Sequence, residues 1–177
     1  MKHFFLLLAL VCATALPAMA AEPAASLGYE VKPWPAGQKA PELRATALDG
    51  KVWALKDLRG RAVLVNFWAS WCEPCRAEMP SLQALAQLEG EGRLVVLAVN
   101  HKESAATIAR YVQTTQLSLP VLPDPQGALA RQWGISVYPS TVLMGADGRV
   151  RSVVRGELDW TGEAARKLIG PLLPPSR

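Results

Sequence analysis

The chain has 177 residues, of which 50% are hydrophobic and 19% are charged, so its composition excludes a disordered or fibrous protein. Nineteen Lys and Arg residues against fifteen Asp and Glu residues give a formal net charge of +4 at pH 7. This weak excess, without a run of five like charges, predicts no nucleic-acid partner. The length predicts one domain after any targeting segment.

The first twenty residues form a unit of their own. Lys2 and His3 precede an apolar run over residues 4–16, which is followed by Pro17 and a small-x-small triplet at residues 18–20. This order predicts a cleavable signal peptide over residues 1–20 and a periplasmic or other extracytoplasmic location. The apolar run would span only about 20 Å as a helix, against about 30 Å for a bilayer core. A membrane anchor formed by the same segment is the alternative.

Residues 21–38 show no periodicity and contain several Pro and Ala residues, which predicts an irregular leader or tether. The folded domain is expected over residues 39–177. Cleavage of the signal peptide would remove Cys12 and leave two cysteines, Cys72 and Cys75. In an oxidising compartment these two have to be considered together.

Apolar periodicity and turn residues predict the elements of the domain. In chain order they are a hairpin with a two-residue turn at Asp49 and Gly50, a buried strand over residues 62–68, a helix ending near Glu89, a strand over residues 93–99, a helix capped by Ser104, a short strand near residues 120–122, a short helix over residues 128–133, a hairpin joining residues 141–144 to residues 149–154, and a last helix over residues 160–172 capped by Asp159. Alternating strands and helices with antiparallel additions predict an α/β fold with a mixed sheet.

The strongest chemical signal is the segment WCEPC at residues 71–75, between the buried strand and the first helix. Two cysteines three residues apart at a helix start bring their sulfurs within bonding distance. The free amides and the helix dipole there stabilise a thiolate on Cys72, which is therefore the predicted nucleophile. Pro74 fits the first helical turn, and Cys75 is placed to resolve a mixed disulfide.

Other functions of a C-x-x-C motif lack the residues they need. A zinc site requires four ligands, and covalent haem attachment requires His where Arg76 stands. A purely structural disulfide would close a very short loop and stabilise little. A copper-delivery protein would use His101, for which the sequence offers no partner ligand, and a non-catalytic binding module stays open. The sequence thus predicts redox exchange with no metal and no other cofactor.

Residues 66–75 (NFWASWCEPC) resemble the active-site segment of thioredoxin-fold proteins, specifically the TlpA/ResA-like extracytoplasmic thiol-disulfide oxidoreductases. The resemblance extends from Ala40 to about Leu172. It includes the leading hairpin, the Leu58-Arg59-Gly60 lead-in and Pro80 within the active-site helix. It implies a thioredoxin-like mixed β-sheet flanked by helices, with an N-terminal β-hairpin extension. A peroxiredoxin is excluded, because Val65 and Ala69 replace the Pro and the Thr or Ser that its motif requires.

The resemblance also implies a cis-proline loop facing the cysteines, matched here by Pro139. A cis bond turns the backbone groups of the preceding residue outward, so an extended substrate could pair with Tyr138 by strand addition. An ordinary trans-proline turn is the alternative. Tyr138 departs from the smaller residue usual at that position and is expected to face the substrate. Trp71 and the exposed Glu73 are expected to border the site as well.

Asn66 stands where cytoplasmic thioredoxins place a buried Asp that handles protons. Glu78 lies three residues after Cys75, at the position of a functional Glu in ResA-like proteins, so the resemblance gives it this role. Partial burial beside a thiolate would raise its pKa. The alternative is a solvated carboxylate on the helix face.

The resemblance favours a specialised reductase of protein disulfides, acting on apocytochrome c thiols during cytochrome c biogenesis or on copper-site cysteines. Its expected partners are a disulfide-containing substrate protein and a membrane thiol-disulfide electron donor of the DsbD/CcdA type. Because a C-x-x-C pair can react in either direction, a general disulfide oxidant or isomerase is the alternative.

Overall fold

The computed structural model describes residues 28–175, which form a central mixed sheet and a separate hairpin. The strands are β1 (Tyr29–Pro33), β2 (Arg44–Thr46), β3 (Val52–Ala54), β4 (Ala62–Trp68), β5 (Leu94–His101), β6 (Val121–Asp124), β7 (Ser140–Met144) and β8 (Val150–Gly156). The helices are α1 (Glu73–Glu89), α2 (Ala105–Thr115), α3 (Ala128–Gln132) and α4 (Glu163–Ile169), with 3₁₀ turns at Leu55–Leu58 and Gly170–Leu172.

The sheet has the order β1-β8-β7-β4-β5-β6. Strands β4, β5 and β6 are parallel, whereas β7, β8 and β1 are added antiparallel on the other side. Every residue of β4 is buried, because its nearly continuous apolar run is covered on both faces. The carboxyl end of β4 therefore opens in the middle of the sheet, where a strand-to-helix turn can present reactive groups.

Two apolar clusters cover the two faces of the sheet. One cluster packs α1, α2 and α4 against the face that carries Leu64 and Trp68. The other packs the β2–β3 hairpin and α3 against the face that carries Val65 and Phe67. This is the α/β thioredoxin-like architecture with a leading hairpin that the sequence predicts.

Part of the predicted irregular leader is a strand. Tyr29–Pro33 forms β1 and pairs with β8 from Tyr29↔Gly156 to Pro33↔Ser152. The segment has no apolar alternation because β1 is an edge strand whose side chains are mostly accessible. Its order comes from backbone pairing, which leaves no hydrophobic period in the sequence.

The turn of the leading hairpin also differs from the prediction. The Lys51 carbonyl accepts from the Ala47 N–H, so the loop has three residues rather than two. Gly50 alone has positive φ there, at 85°, as expected when a type I turn is followed by a left-handed residue. The Leu48 N–H donates to the Val121 carbonyl, which fixes the hairpin against β6.

The last helix begins at Glu163 rather than at Trp160. The Asp159 side chain accepts from the N–H and the hydroxyl of Thr161, so it closes a turn and does not cap the helix. Gly162 is the N-cap residue. In the sequence, Trp160 continues the four-residue spacing of the apolar side chains of this helix. In the structure, Trp160 belongs to the preceding loop and is fully buried against α1.

The remaining predicted elements occur close to their predicted bounds, including β4, the Ser104 cap of α2 and the end of α1 before Gly90. Within residues 28–175, no helix is both long and apolar enough to span a membrane. The predicted signal peptide at residues 1–20 lies outside the described residues, as do residues 21–27 of the leader.

Candidate active site

The two cysteines lie at the carboxyl end of β4, where the chain turns into α1. Cys72 is the N-cap residue of α1, with extended backbone angles, and Pro74 occupies the first turn, where a missing N–H costs nothing. Cys72 and Cys75 form a disulfide, with an S–S distance of 2.06 Å and a Cα–Cα distance of 5.3 Å. The end of β4 and the start of α1 thus hold both sulfurs together at the carboxyl end of a central strand.

The two sulfurs have different surroundings. Cys72 is 6% exposed and Cys75 is completely buried. The Cys75 N–H donates to Cys72 Sγ at 3.3 Å, so the helix start already directs a donor at the outer sulfur. A thiolate on Cys72 would receive this bond together with the positive end of the helix dipole. The arrangement favours charge on Cys72 over charge on Cys75.

Glu78 lies one helical turn beyond Cys75 and is only 2% exposed. Asn66 Nδ2 donates to its Oε1 at 2.7 Å. Trp160 Nε1 at 3.1 Å and the Leu158 N–H at 3.3 Å both donate to Oε2. Residues from β4 and from the loop before α4 therefore hold this carboxyl group inside the protein, which excludes the solvated helix-face alternative.

Burial raises the pKa of Glu78 from its ordinary value of 4.5 to about 7. The three hydrogen bonds from Trp160, Leu158 and Asn66 lower the pKa, and the nearby Glu157 carboxylate raises it further. Desolvation therefore outweighs the donors that favour the ionised form. At neutral pH the group is poised to take up or release a proton.

Asn66 occupies the position where the sequence analysis noted a missing Asp. Its Nδ2 also donates to Thr141 Oγ1 at 2.9 Å, so one amide joins β4, β7 and α1. A neutral amide here supports the Glu78 carboxyl group without adding a second buried charge beside it.

The loop before β7 contacts the cysteine segment through the rings of Tyr138 and Trp71. Its Tyr138–Pro139 peptide bond is cis, the geometry that the family resemblance implies. The Gly156 N–H donates to the Pro139 carbonyl, and the Ser140 hydroxyl donates to the Val137 carbonyl. These bonds hold the loop beside the carboxyl end of β4, where Ser140 pairs with Phe67.

Aromatic side chains connect this loop to the cysteine segment. The rings of Trp71 and Tyr138 meet edge-on with centroids 6.4 Å apart, and the Tyr138 ring stacks on His101 at 4.7 Å. Burial lowers the pKa of His101, and the charge of Lys102 lowers it further. His101 therefore serves the site as a neutral packing partner of Tyr138.

The sequence analysis did not identify Glu103. This carboxylate accepts from the N–H and the hydroxyl of Ser70, and from Asn100 Nδ2 at 2.7 Å. It thereby joins the segment before Cys72 to the carboxyl end of β5. The polar run at residues 100–103, directly after the predicted strand over residues 93–99, was the available signal.

The structure brings the predicted site residues together around the disulfide. Glu73 and Pro74 are exposed on the first turn of α1, Trp71 directly precedes Cys72, and Tyr138, next to Pro139, contacts the Trp71 ring. Within residues 28–175, no group of three or more metal-ligating side chains is arranged to hold an ion.

A disulfide placed between a buried carboxyl group and the protein surface suits reversible exchange with another disulfide or dithiol. This chain is a thiol-disulfide oxidoreductase. It belongs to the AhpC/TSA family, whose model matches residues 36–153. The match begins before β2 and ends within β8. The substrates of such an oxidoreductase are proteins that contain disulfides.

Known relatives share the domain and the chemistry. The chain is 33% identical to the thiol-disulfide oxidoreductase ResA of Bacillus thuringiensis over 121 residues, which cover 68% of this chain and 70% of that protein. A thiol:disulfide interchange protein of Chlorobium tepidum has a TM-score of 0.67 at 26% identity, covering 76% of this chain and 95% of that one. The exposed lipoprotein thioredoxin of Streptococcus pneumoniae has a TM-score of 0.64 at 28% identity, covering 73% and 98%.

Proposed function

We propose that this protein reduces disulfides of other proteins outside the cytoplasm, with Cys72 and Cys75 as its dithiol. The observation that carries the proposal is the asymmetry of the pair: Cys72 is 6% exposed and receives the Cys75 N–H, whereas Cys75 is completely buried one turn from Glu78. Such a pair separates an attacking sulfur from a resolving sulfur.

In the first step, the Cys72 thiolate attacks one sulfur of the substrate disulfide. A Cys72–substrate disulfide forms, the substrate disulfide breaks, and the other substrate sulfur leaves as a thiolate that takes a proton from solvent. The extended substrate segment pairs with the backbone of Tyr138 beside Pro139, by strand addition to the cis-proline loop.

In the second step, Cys75 transfers its proton to the Glu78 carboxylate and attacks Cys72 Sγ. The Cys72–Cys75 disulfide forms, and the second substrate sulfur leaves as a thiolate that is protonated from Glu78. The dithiol has then given two electrons to the substrate. Glu78 suits this role because its pKa of about 7 lets it accept and return a proton at neutral pH.

The relatives and the sequence support the proposed direction and location. The chain resembles ResA, and another relative is described as an exposed lipoprotein. The signal peptide predicted at residues 1–20 agrees with export to the periplasm or an equivalent compartment. There, apocytochrome c or copper-site cysteines would be the substrates, and a membrane donor of the DsbD/CcdA type would restore the dithiol.

The reduction potential of the pair decides between a reductase and a general oxidant or isomerase. We expect a value near thioredoxin's, about −270 mV, from equilibration of the protein with a glutathione or dithiothreitol series. A value near that of DsbA, about −120 mV, would contradict the reductase direction and favour the oxidant.

A Glu78→Gln variant tests the proton step. Gln keeps the size and helix propensity of Glu but holds no exchangeable charge, so the pH dependence of cysteine alkylation in the reduced protein should change. The measurement is the alkylation rate from about pH 5 to 10, which brackets the usual cysteine pKa of about 8.5. Superimposable curves for wild type and variant would show that Glu78 takes no part in cysteine ionisation.

A further inference from the structure

A carboxylate from a distant segment holds the chain just before Cys72. Glu103, in the turn between β5 and α2, accepts from the Ser70 N–H at 2.7 Å and also from the Ser70 hydroxyl. Ser70 belongs to the turn that the Cys72 N–H closes on the Ala69 carbonyl at 3.2 Å. Two bonds to one carboxylate thus fix a residue inside this turn, two positions before Cys72.

Glu103 is itself held in place by the fold. Asn100 Nδ2 donates to its Oε2 at 2.7 Å, and Asn100 is completely buried in β5, where it pairs with Trp68 of β4. The residue after Glu103 is Ser104, the N-cap of α2. The carboxylate therefore lies between a buried strand end and a capped helix, and it holds Ser70 against a rigid part of the domain.

The oxidised and the reduced protein need this restraint to different degrees. In the oxidised protein, the Cys72–Cys75 disulfide ties the last residue of the turn covalently to the first turn of α1. Reduction breaks that bond, so the position of Cys72 then depends on noncovalent contacts. Among these contacts, the bonds from Ser70 to Glu103 have a carboxylate acceptor, and such bonds are roughly twice as strong as those between neutral groups. The restraint from Glu103 therefore matters most after reduction.

We infer that Glu103 is a positioning residue for Cys72, which acts through Ser70 and chiefly in the reduced protein. It keeps the turn before α1 in the geometry of the oxidised state after the disulfide has opened, so the Cys72 sulfur stays at the helix start. This role rests on the proposed assignment of Cys72 as the nucleophile. It is independent of the direction in which the cysteine pair reacts.

The bonds of Glu103 and its charge have opposite effects on the reduction potential. A carboxylate bonded two residues before Cys72 disfavours a thiolate there, so removal of the charge alone stabilises the reduced form and makes the potential less negative. Loss of the bonds to Ser70 destabilises the reduced form more than the oxidised form, so it makes the potential more negative. Gln removes the charge but keeps an acceptor and a donor for Ser70, whereas Ala removes both the charge and the bonds.

The test compares Glu103→Ala with Glu103→Gln, both with Cys12 replaced by Ser, by equilibration of each protein with a glutathione series at pH 7. We expect Glu103→Ala to shift the equilibrium about tenfold toward the oxidised protein, which is a potential about 30 mV more negative. Glu103→Gln should have the wild-type potential or a slightly less negative one. Glu91→Ala is the matched control, because it removes an exposed carboxylate in the turn after α1, and it should leave the potential unchanged.

Ser70→Ala tests the connection between Glu103 and Cys72. It removes the hydroxyl bond and keeps the N–H bond, so alone it should shift the equilibrium in the same direction by about threefold. In the Glu103→Ala background it should add nothing, because its partner is already absent. Urea unfolding of both redox forms gives an independent measurement. Glu103→Ala should lower the unfolding equilibrium stability of the reduced form about tenfold more than that of the oxidised form.

Three results would overturn the positioning role. Equal shifts of Glu103→Ala and Glu103→Gln toward less negative potentials would show that Glu103 acts through its charge. An unchanged potential in Glu103→Ala, with both redox forms equally destabilised, would show that Glu103 stabilises the fold without positioning Cys72. An undiminished effect of Ser70→Ala in the Glu103→Ala background would exclude action through Ser70. The wild-type potential itself tests the reductase direction, whereas the differences among variants test Glu103, so the two proposals can fail separately.

Discussion

A Cys72→Ser variant is expected to reduce no disulfide above the uncatalysed background, a loss of about 10³-fold or more. The remaining thiol, Cys75, is completely buried and cannot meet a substrate sulfur. The assay is reduction of a peptide disulfide by the fully reduced protein, in a Cys12→Ser background that removes the third cysteine of the full chain. Reduction at the wild-type rate would contradict the assignment of Cys72 as nucleophile.

The Cys75→Ser variant in the same background is the matched comparison. It keeps Cys72, the proposed nucleophile, but lacks the resolving thiol, so the Cys72–substrate disulfide should accumulate. Mass spectrometry of the unreduced protein should show one substrate molecule attached through Cys72. If the adduct appears with Cys72→Ser instead, the roles of the two cysteines are reversed.

A Glu78→Gln variant should gain stability over wild type as the pH rises. The folded state holds Glu78 at a pKa of about 7, against 4.5 for an unperturbed carboxyl group. Between these values the folded state binds the proton and the unfolded state does not, so wild-type stability is fully present below about pH 4.5 and falls as the pH rises to about 7. The loss amounts to about 3 kcal/mol, and Gln, which does not ionise, avoids it.

Urea unfolding of the oxidised protein at pH 4, 6 and 8 measures this effect. The difference in the free energy of unfolding between Glu78→Gln and wild type should grow by about 3 kcal/mol from pH 4 to 8. Glu91→Gln removes an exposed carboxylate in the turn after α1 and should follow the wild-type dependence. Parallel curves for Glu78→Gln and wild type would show that Glu78 does not hold a proton in the folded state.

Local patterns made the centre of the fold predictable. The apolar run of β4, interrupted only by Asn66, occurs where it was predicted, because a strand covered on both faces is almost entirely apolar. The C-x-x-C segment directly after it indicated a helix start with paired sulfurs, and the disulfide between Cys72 and Cys75 forms there. The spacing of Glu78 placed it one turn beyond Cys75, but only the family resemblance gave it a role.

Features that depend on distant partners escaped the sequence analysis. Edge strand β1 is ordered by its pairing with β8, more than a hundred residues away, and has no hydrophobic period of its own. Trp160 continues the spacing of α4, yet its ring is held by Glu78 on another helix. Glu103 anchors Ser70 across two loops that no local pattern connects. In each case the tertiary contact overrides the local signal.

Strand β1 also determines where the chain enters the domain. Tyr29 pairs with Gly156, whose N–H bonds to the Pro139 carbonyl, so Gly28 lies at the end of the sheet that carries the disulfide. Residues 21–27 can extend at most about 25 Å beyond this point. A domain retained by residues 1–20 would therefore keep this end of the sheet within about 25 Å of the retained segment, whereas cleavage would remove that restriction.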